Sequence, residues 1–187
     1  HFKTVVKTAA LRNGLYACFS PKPIPGQAGN GMHINMSVKC SDGTDRSEAF
    51  LAGVLAHVRE ITAFLNPSEE SYRRFGEMKA PRYITWSPEN RSQLIRIPAA
   101  KGEYRRIELR SPDPTANPYL AYALLIRAGL DGIQKGMLPP QPVNENLYTA
   151  PRSLTAALEQ LPSSLTEAKQ IARSSPFVTA ILPEAML

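Results

Sequence analysis

The sequence predicts an α+β domain in which an antiparallel sheet is flanked by helices and followed by a helical tail. Segments 32–38 and 104–110 alternate apolar and polar residues, as half-buried strands do. Segments 47–65 and 117–134 carry apolar residues at helical spacing. Segregated strands and helices, joined by connections rich in the chain's 17 prolines, are typical of an α+β fold.

The first half of the chain is predicted to contain two helices and two strands. Asn13-Gly14 and Asn66-Pro67 are typical helix ends, because glycine adopts left-handed conformations and proline disfavours the helical conformation of the residue before it. In chain order, these elements are a helix at 2–12, a strand at 15–19, a strand at 32–38 and a helix at 47–65.

The second half adds strands, a long apolar helix and the tail. Pro118 stands in the first turn of the long helix, where helices tolerate proline. In chain order, these elements are strands at 83–86, 93–97 and 104–110, a helix at 117–134, an extended connector marked by four prolines between 139 and 151, and helices at 153–161, 163–173 and 176–185.

Length and composition indicate a globular protein. The 187 residues fit one domain with a sizeable core, and 43% hydrophobic with 20% charged residues excludes a disordered chain. Cys18 and Cys40 form neither a disulfide framework nor a metal-binding spacing. No membrane span or signal peptide is recognisable, so we expect a cytoplasmic protein without a membrane partner. The chain begins at His1, within a predicted helix, and we interpret it as a piece of a longer protein.

The charge distribution indicates an anionic ligand. The net charge is +6, and arginines are concentrated between residues 73 and 110. Arginine is favoured where planar phosphate or carboxylate groups are bound in a bidentate manner. A solvated surface stripe is the alternative interpretation. We do not expect nucleic-acid binding, because the aromatic residues are not interleaved with the basic ones and no nucleic-acid-binding motif is present.

Polar side chains lie on one face of each of three predicted strands. Solvent exposure explains one such strand, but three together favour a functional sheet face. An imidazole and a carboxylate are suitable ligands for a divalent ion, and neighbouring arginines would neutralise phosphate oxygens. The glycine-rich loop at 26–31 could present backbone N–H groups to an anion, but it is not a phosphate-binding Walker loop. The polar residues concerned are His33, Asn35 and Ser37; Arg96, with Arg91 just before it; and Arg106, Glu108 and Arg110.

Several segments resemble the motifs of one enzyme family. Pro21-Lys22-Pro23 and the Gly29–Ser37 segment GNGMHINMS resemble the ATP-binding motif of glutamine synthetases, KP followed by NGSGMHxHxS. Ala80-Pro81, Asn90-Arg91-Ser92, Ile95–Pro98 and Arg106–Ala121 look like the EAP, NRS, IRIP and RIExRxPDPxANPYLA blocks of that family. Order and spacing agree over residues 1 to about 150. The sequence is therefore identified as a member of the glutamine synthetase family, similar to type I.

The resemblance implies a glutamine synthetase/guanido kinase-like catalytic domain, of which residues 1–187 are the C-terminal portion. Residues 1–138 would carry the sheet and helices of the active site, and residues 139–187 a connector and helical tail. The N-terminal β-grasp domain and the remaining glutamate metal ligands of the family would precede His1. We therefore expect this chain to be inactive alone.

The resemblance also implies a reaction and its residues. Members of the family are ATP-dependent ligases that activate the γ-carboxylate of glutamate as an acyl phosphate, which ammonia then attacks. Their cofactor is Mg²⁺ or Mn²⁺. Its members are homo-oligomers. Carried over by position, the metal ligands are His33 and Glu108; the nucleotide-binding residues are Asn35, Ser37, Arg91, Arg96 and Lys101; the substrate-binding residues are Gly29, Arg74 and Arg110; and the catalytic arginines are Arg91, Arg96 and Arg110.

The sequence departs from the family pattern at several positions. Lys79 stands where the family has a flap glutamate that helps to deprotonate ammonium, with Glu77 two residues earlier as the candidate replacement. Asn35 replaces the second histidine of the ATP-binding motif, and Ala28 replaces the asparagine that opens NGSG. These changes leave two alternatives: a γ-glutamyl ligase for another amine, and a non-catalytic member with a binding or structural role. We interpret Tyr148, in a further family-like segment, as a packing residue.

Overall fold

The computed structural model describes residues 1–77, 79–99 and 105–187. Helices and short strands alternate in the first two thirds of the chain, and the last third is helical. The elements are α1 (Phe2–Arg12), β1 (Ile34–Met36), α2 (Ser47–Leu65), α3 (Glu69–Tyr72), β2 (Trp86–Pro88), β3 (Ile95–Ile97), β4 (Ile107–Leu109), α4 (Pro118–Gln134), α5 (Arg152–Thr155), α6 (Leu165–Ser174), α7 (Pro176–Thr179) and a final 3₁₀ turn (Glu184–Met186).

The sheet contains four strands in the order β1-β4-β3-β2. The β1–β4 and β4–β3 pairs are antiparallel, whereas β3 and β2 are parallel. The α+β class is thus confirmed, with one departure from the antiparallel expectation. Residues 89–94 loop back beside β2, so that Ile95 pairs with Trp86 at the start of both strands.

Three sequence predictions differ from the structure. Residues 15–19 form no strand, since Leu15 and Tyr16 are 65% and 81% exposed and no described strand lies beside them. The helix predicted at 153–161 stops at Thr155, because the chain around Gln160 instead bonds to the backbone around Tyr83. Pro183 separates α7 from the final 3₁₀ turn, where one helix was predicted.

The core lies between one face of the sheet and the two long helices. Ile34 and Ile95 flank Leu109 in the strand register, and this apolar row is buried with residues of α2 and α4. Because strand side chains alternate between faces, the next row of the register faces away from the core. That row contains Asn35, Glu108 and Arg96.

Helices α2 and α4 cross at glycines. A Cβ on Gly132 would lie 2.1 Å from the Ala49 carbonyl oxygen and 2.6 Å from the Gly53 nitrogen. A Cβ on Gly53 would lie 2.2 Å from the Ala128 carbonyl oxygen. No side chain fits at this crossing, so the two backbones are in direct contact.

Helix α1 contributes no buried side chain, and Phe2 is 75% exposed. Lys3 Nζ donates to the Pro114 carbonyl oxygen at 2.6 Å, which ties α1 to the segment before α4. Within the described ranges, no helix is long and apolar enough to cross a membrane.

A charged cluster fastens the helical tail to α2 and α4. His57 Nδ1 lies 2.5 Å from Glu60 Oε2, and His57 Nε2 lies 2.8 Å from Asp131 Oδ2. Ser175, which caps α7, donates to the other oxygen of Glu60 at 2.8 Å, and the Phe177 ring stacks on the imidazole at 3.8 Å.

Replacing His57 with glutamine is expected to loosen α7. Glutamine lacks the stacked ring and cannot reach both carboxylates as the two ring nitrogens of His57 do. Charge-assisted hydrogen bonds contribute about 1.5–3 kcal/mol each, so the opening free energy of α7 should fall by about 2 kcal/mol. Amide hydrogen exchange of Val178 and Thr179 in the full-length protein would measure this fall.

The matched control for this variant is Ala56→Gln, which places the same side chain on the exposed face of α2. Equal exchange of the α7 amides in the two variants would show that the contacts of His57 do not hold α7 in place.

Hydrogen bonds from Lys135 and then His57 hold the pKa of Asp131 below its ordinary value. The ionised Asp131 carboxylate therefore stabilises the folded state above pH 3.8, its ordinary pKa, and this stabilisation is lost as the pH falls through the lowered pKa.

Candidate active site

Polar side chains of three strands lie together on one face of the sheet, as the sequence predicts. Asn35 of β1 and Arg96 of β3 both pair with Glu108 of β4, so the three side chains form one row across the sheet. His33 and Arg110 stand two residues from Asn35 and Glu108 respectively, and the period of two places them beside this row. Strand pairing thus brings together residues from three separate sequence motifs.

Glu108 is the centre of this row. Its Oε2 accepts from Arg96 Nε at 2.8 Å and from Arg110 Nη1 at 3.2 Å, and its Oε1 lies 3.6 Å from His33 Nδ1. Burial alone would raise the pKa of Glu108, but the hydrogen bonds and charges of Arg96 and Arg110 outweigh it and lower that pKa. The carboxylate is therefore ionised at neutral pH.

His33 complements this carboxylate as a metal donor. Burial, followed by the charge of Arg110, lowers the pKa of His33, while Glu108 acts in the opposite direction. The neutral imidazole keeps a lone pair for a metal ion, and an ionised carboxylate stands beside it, so the donor chemistry fits a divalent cation. Among the described residues no group of three or more histidine, cysteine, aspartate or glutamate side chains could hold a metal. These residues thus supply a pair of donors and not a complete cage.

Two buried arginines adjoin the donor pair. Arg110 is 4% exposed and donates from Nη2 to the Lys79 carbonyl oxygen at 3.3 Å. Arg74 is 3% exposed, and its Nη1 donates to the Ser111 carbonyl oxygen at 3.1 Å. The Nε atoms of both arginines and the hydroxyl of Ser111 are buried without a hydrogen-bond partner in the described part of the chain. Buried guanidinium nitrogens left without a partner are suited to an anionic ligand.

The glycine loop lies against Arg74. A Cβ on Gly29 would stand 2.3 Å from the Pro21 carbonyl oxygen and 2.9 Å from Arg74 Cγ. A Cβ on Gly31 would stand 3.2 Å from both Arg74 Nη2 and His33 Nε2. No side chain fits at position 29, so this residue must be glycine. Gly29 also adjoins Arg74, and the family resemblance assigns both residues to substrate binding.

The remaining predicted residues are less closely gathered. Arg91 is exposed in the turn between β2 and β3, and Ser37 is exposed directly after β1. Asn35 Oδ1 accepts from Arg106 Nε at 3.1 Å. Lys101 lies outside the described residues, and its predicted role remains a prediction.

The segment before β2 shows why Lys79 is unusual. Lys79 has a φ of 80°, in the left-handed region that favours glycine, and its carbonyl oxygen binds Arg110. Glu77, the candidate replacement for the family's flap glutamate, forms an ion pair with Lys22 at 3.1 Å. Its carboxylate is thus occupied by a cation in this structure.

Sequence reasoning underestimated Tyr148. Its hydroxyl donates to the Arg91 carbonyl oxygen at 3.5 Å. Burial raises the pKa of Tyr148, and Arg110 opposes that effect. Tyr148 therefore borders the arginine cluster and does more than pack.

The connector that carries Tyr148 is held by residues of the NRS segment. Asn90 Nδ2 donates to the carbonyl oxygen of Asn144 at 2.6 Å, and Gln93 Nε2 donates to that of Glu145 at 3.0 Å. Ser92 Oγ accepts from the Leu147 nitrogen at 3.0 Å. Asn90 and Ser92 thus have a structural role that their family-like motif did not indicate.

Comparison with known proteins agrees with this site. The family profile "Glutamine synthetase, catalytic domain" matches residues 1–187. Glutamine synthetase of Methanosarcina mazei is 43% identical over 98% of this chain and 44% of its own length, and that of Staphylococcus aureus is 42% identical over 97% and 44%. This chain thus spans less than half the length of these relatives.

Two solved structures have the same fold. "GmaS/ADP complex-Conformation 1" superposes with a TM-score of 0.84 at 33% identity, covering 98% of this chain and 46% of that one. "Apo GmaS without ligand" gives 0.83 at 35% identity, over 98% and 45%. The fold and the family profile together define a segment of a catalytic domain of the glutamine synthetase type. The chain belongs to the glutamine synthetase family.

Proposed function

We propose that the protein is an ATP-dependent carboxylate–amine ligase that converts glutamate, ammonia and ATP into glutamine through a γ-glutamyl phosphate. The observation that carries this proposal is the position of Glu108, which contacts two arginines through one oxygen and faces His33 with the other. Such a site combines donors for a cation with fixed positive charges for phosphate and carboxylate oxygens.

His33 and Glu108 would hold a divalent ion, Mg²⁺ or Mn²⁺, which would neutralise phosphate charge in the bound nucleotide. Arg96 and Arg110 are fixed by Glu108, so their remaining N–H groups are oriented without cost at the moment of reaction. Arg91 would reach the phosphates from its turn, and Arg74 would bind a substrate carboxylate. These roles are what the family membership and the geometry support.

Activity requires more than this chain in our proposal. The described residues provide two donors for the ion, and the relatives are more than twice as long. We therefore propose that the 187 residues are inactive alone. The homo-oligomeric state and the cytoplasmic location belong to the same proposal and rest on family membership.

A second candidate function is γ-glutamyl ligation to an amine other than ammonia. It is favoured by Lys79 and by the Glu77–Lys22 ion pair, since neither residue offers a free carboxylate to ammonium.

ATP-dependent phosphate release by the full-length protein tests both functions. The reaction contains glutamate and Mg²⁺ or Mn²⁺, with ammonium or a series of primary amines in parallel. Release with ammonium supports glutamine synthesis, and release only with larger amines supports the second function. No release with any amine, in a folded protein, would overturn both and leave a non-catalytic family member.

We expect Lys79→Glu to improve the use of ammonium. The new carboxylate would attract an ammonium cation and could accept its proton, so kcat/KM for ammonium should rise about tenfold. Lys169→Glu on the exposed side of α6 is the control with the same change of charge. An identical kcat/KM for ammonium in both variants would show that Lys79 does not contact the acceptor.

A further inference from the structure

The pair formed by Arg74 and Asp113 is buried beneath the candidate active site. Asp113 is fully buried and Arg74 is 3% exposed, and Arg74 Nη1 lies 3.7 Å from Asp113 Oδ2. Burial lowers the pKa of Arg74, and the charge of Asp113 opposes that effect. A buried guanidinium needs such a compensating charge.

Asp113 uses its two carboxylate oxygens for different purposes. Oδ1 accepts from the Thr115 nitrogen at 2.9 Å and from the Thr115 hydroxyl, which closes the turn before α4. Oδ2 accepts from Asn66 Nδ2 at 3.0 Å and faces Arg74. Oδ1 therefore stabilises the turn, and Oδ2 faces the arginine.

Asn66 links this carboxylate to the other partner of Arg74. The same Asn66 Nδ2 donates to the Ser111 carbonyl oxygen at 2.9 Å, and that oxygen also accepts from Arg74 Nη1. Nη1 is therefore held by Ser111 and faced by Asp113. Nη2 lies on the other side, beside Gly31 and His33, and Nε has no partner among the described residues.

We propose that Asp113 is a positioning residue for the substrate carboxylate. It acts through Arg74: by engaging the Nη1 side of the guanidinium it leaves Nη2 and Nε directed toward the glycine loop, where a carboxylate is bound by two parallel N–H donors. This inference rests on the proposed function, because it takes the ligand of Arg74 to be the carboxylate substrate.

Asp113→Asn separates this role from turn formation. The amide oxygen can still accept from the Thr115 nitrogen, whereas its NH₂ group would face two donors, Asn66 and Arg74, and no negative charge would remain. In the full-length protein we expect KM for glutamate to rise about tenfold while kcat and KM for ATP change by less than about threefold. Thr115→Ala is the control, since it removes a contact to the same carboxylate on the turn side only.

A double-mutant cycle with Arg74→Lys keeps the test decisive if stability also falls. If Asp113 acts through Arg74, Asp113→Asn should raise KM for glutamate by less than about twofold in the Arg74→Lys background. Equal effects in both backgrounds, or an unchanged KM together with a lower melting temperature, would overturn the inference and leave Asp113 as a turn residue. A wild-type protein without glutamate-dependent turnover would instead overturn the proposed function, and with it the ligand assigned to Arg74.

Discussion

Glu108→Gln is expected to abolish most of the ATP-dependent turnover of the full-length protein. Glutamine removes the negative charge that contacts Arg96 and Arg110 and faces His33, so a metal donor and the counter-charge of two arginines disappear together. Losses from a single removed electrostatic contact in an active site reach 10²–10³-fold, and we expect a loss on the order of 10³-fold here. Phosphate release under saturating glutamate and ATP measures it.

Two further variants distinguish chemistry from folding in this experiment. Glu108→Asp keeps the charge but shortens the side chain, so it should retain an intermediate activity. Glu184→Gln makes the same neutralising change at an exposed position of the final 3₁₀ turn and should behave as wild type. Full turnover by Glu108→Gln would show that this carboxylate neither holds the metal nor orients the arginines.

Gly132→Ala should destabilise the protein severely, against the usual direction of this substitution. Alanine in place of an exposed helical glycine ordinarily stabilises by about 1 kcal/mol. The new methyl group would overlap the Ala49 carbonyl oxygen and the backbone of Gly53, so α2 and α4 must separate and lose packing along their length. Overpacking of this kind typically costs 1–3 kcal/mol, and a clash with backbone atoms should place Gly132→Ala at or above about 3 kcal/mol.

Chemical denaturation, followed by a probe of helix content, measures this loss. Ala123→Ser is the control, because it adds one atom to α4 at an exposed position and should leave stability nearly unchanged. Unchanged or increased stability of Gly132→Ala would mean that the two helices are farther apart than the structure shows.

Much of the site was predictable because strand periodicity depends only on local sequence. The alternation around His33 and Glu108 correctly placed His33, Asn35, Glu108 and Arg110 on one face. The parallel pairing of β2 with β3 was not predictable, since it depends on how residues 89–94 fold back and not on alternation. Local alternation was thus enough to find strands, whereas the direction in which two strands pair depends on the loop between them.

The roles of Asp113 and Tyr148 could not be predicted for the same reason. Asp113 was recognised only as part of a family block, and its contact with Arg74 joins residues 39 positions apart that meet only after folding. Tyr148 reaches the Arg91 carbonyl oxygen because distant residues hold its connector. The glycine crossing of α2 and α4 likewise required the two helix axes to be known.

The attachment of the connector has a consequence for biosynthesis. The turn that carries Arg91 leaves the ribosome more than fifty residues before Asn144 and Leu147, to which its neighbours Asn90 and Ser92 bind. Until that stretch has emerged, Asn90, Ser92 and Gln93 have no partners for these bonds, although every catalytic motif has already been translated. Maturation of the turn that carries Arg91 is thus deferred to a late stage of translation, and a nascent chain stalled before residue 144 would contain the family-like motifs without the contacts that hold this turn.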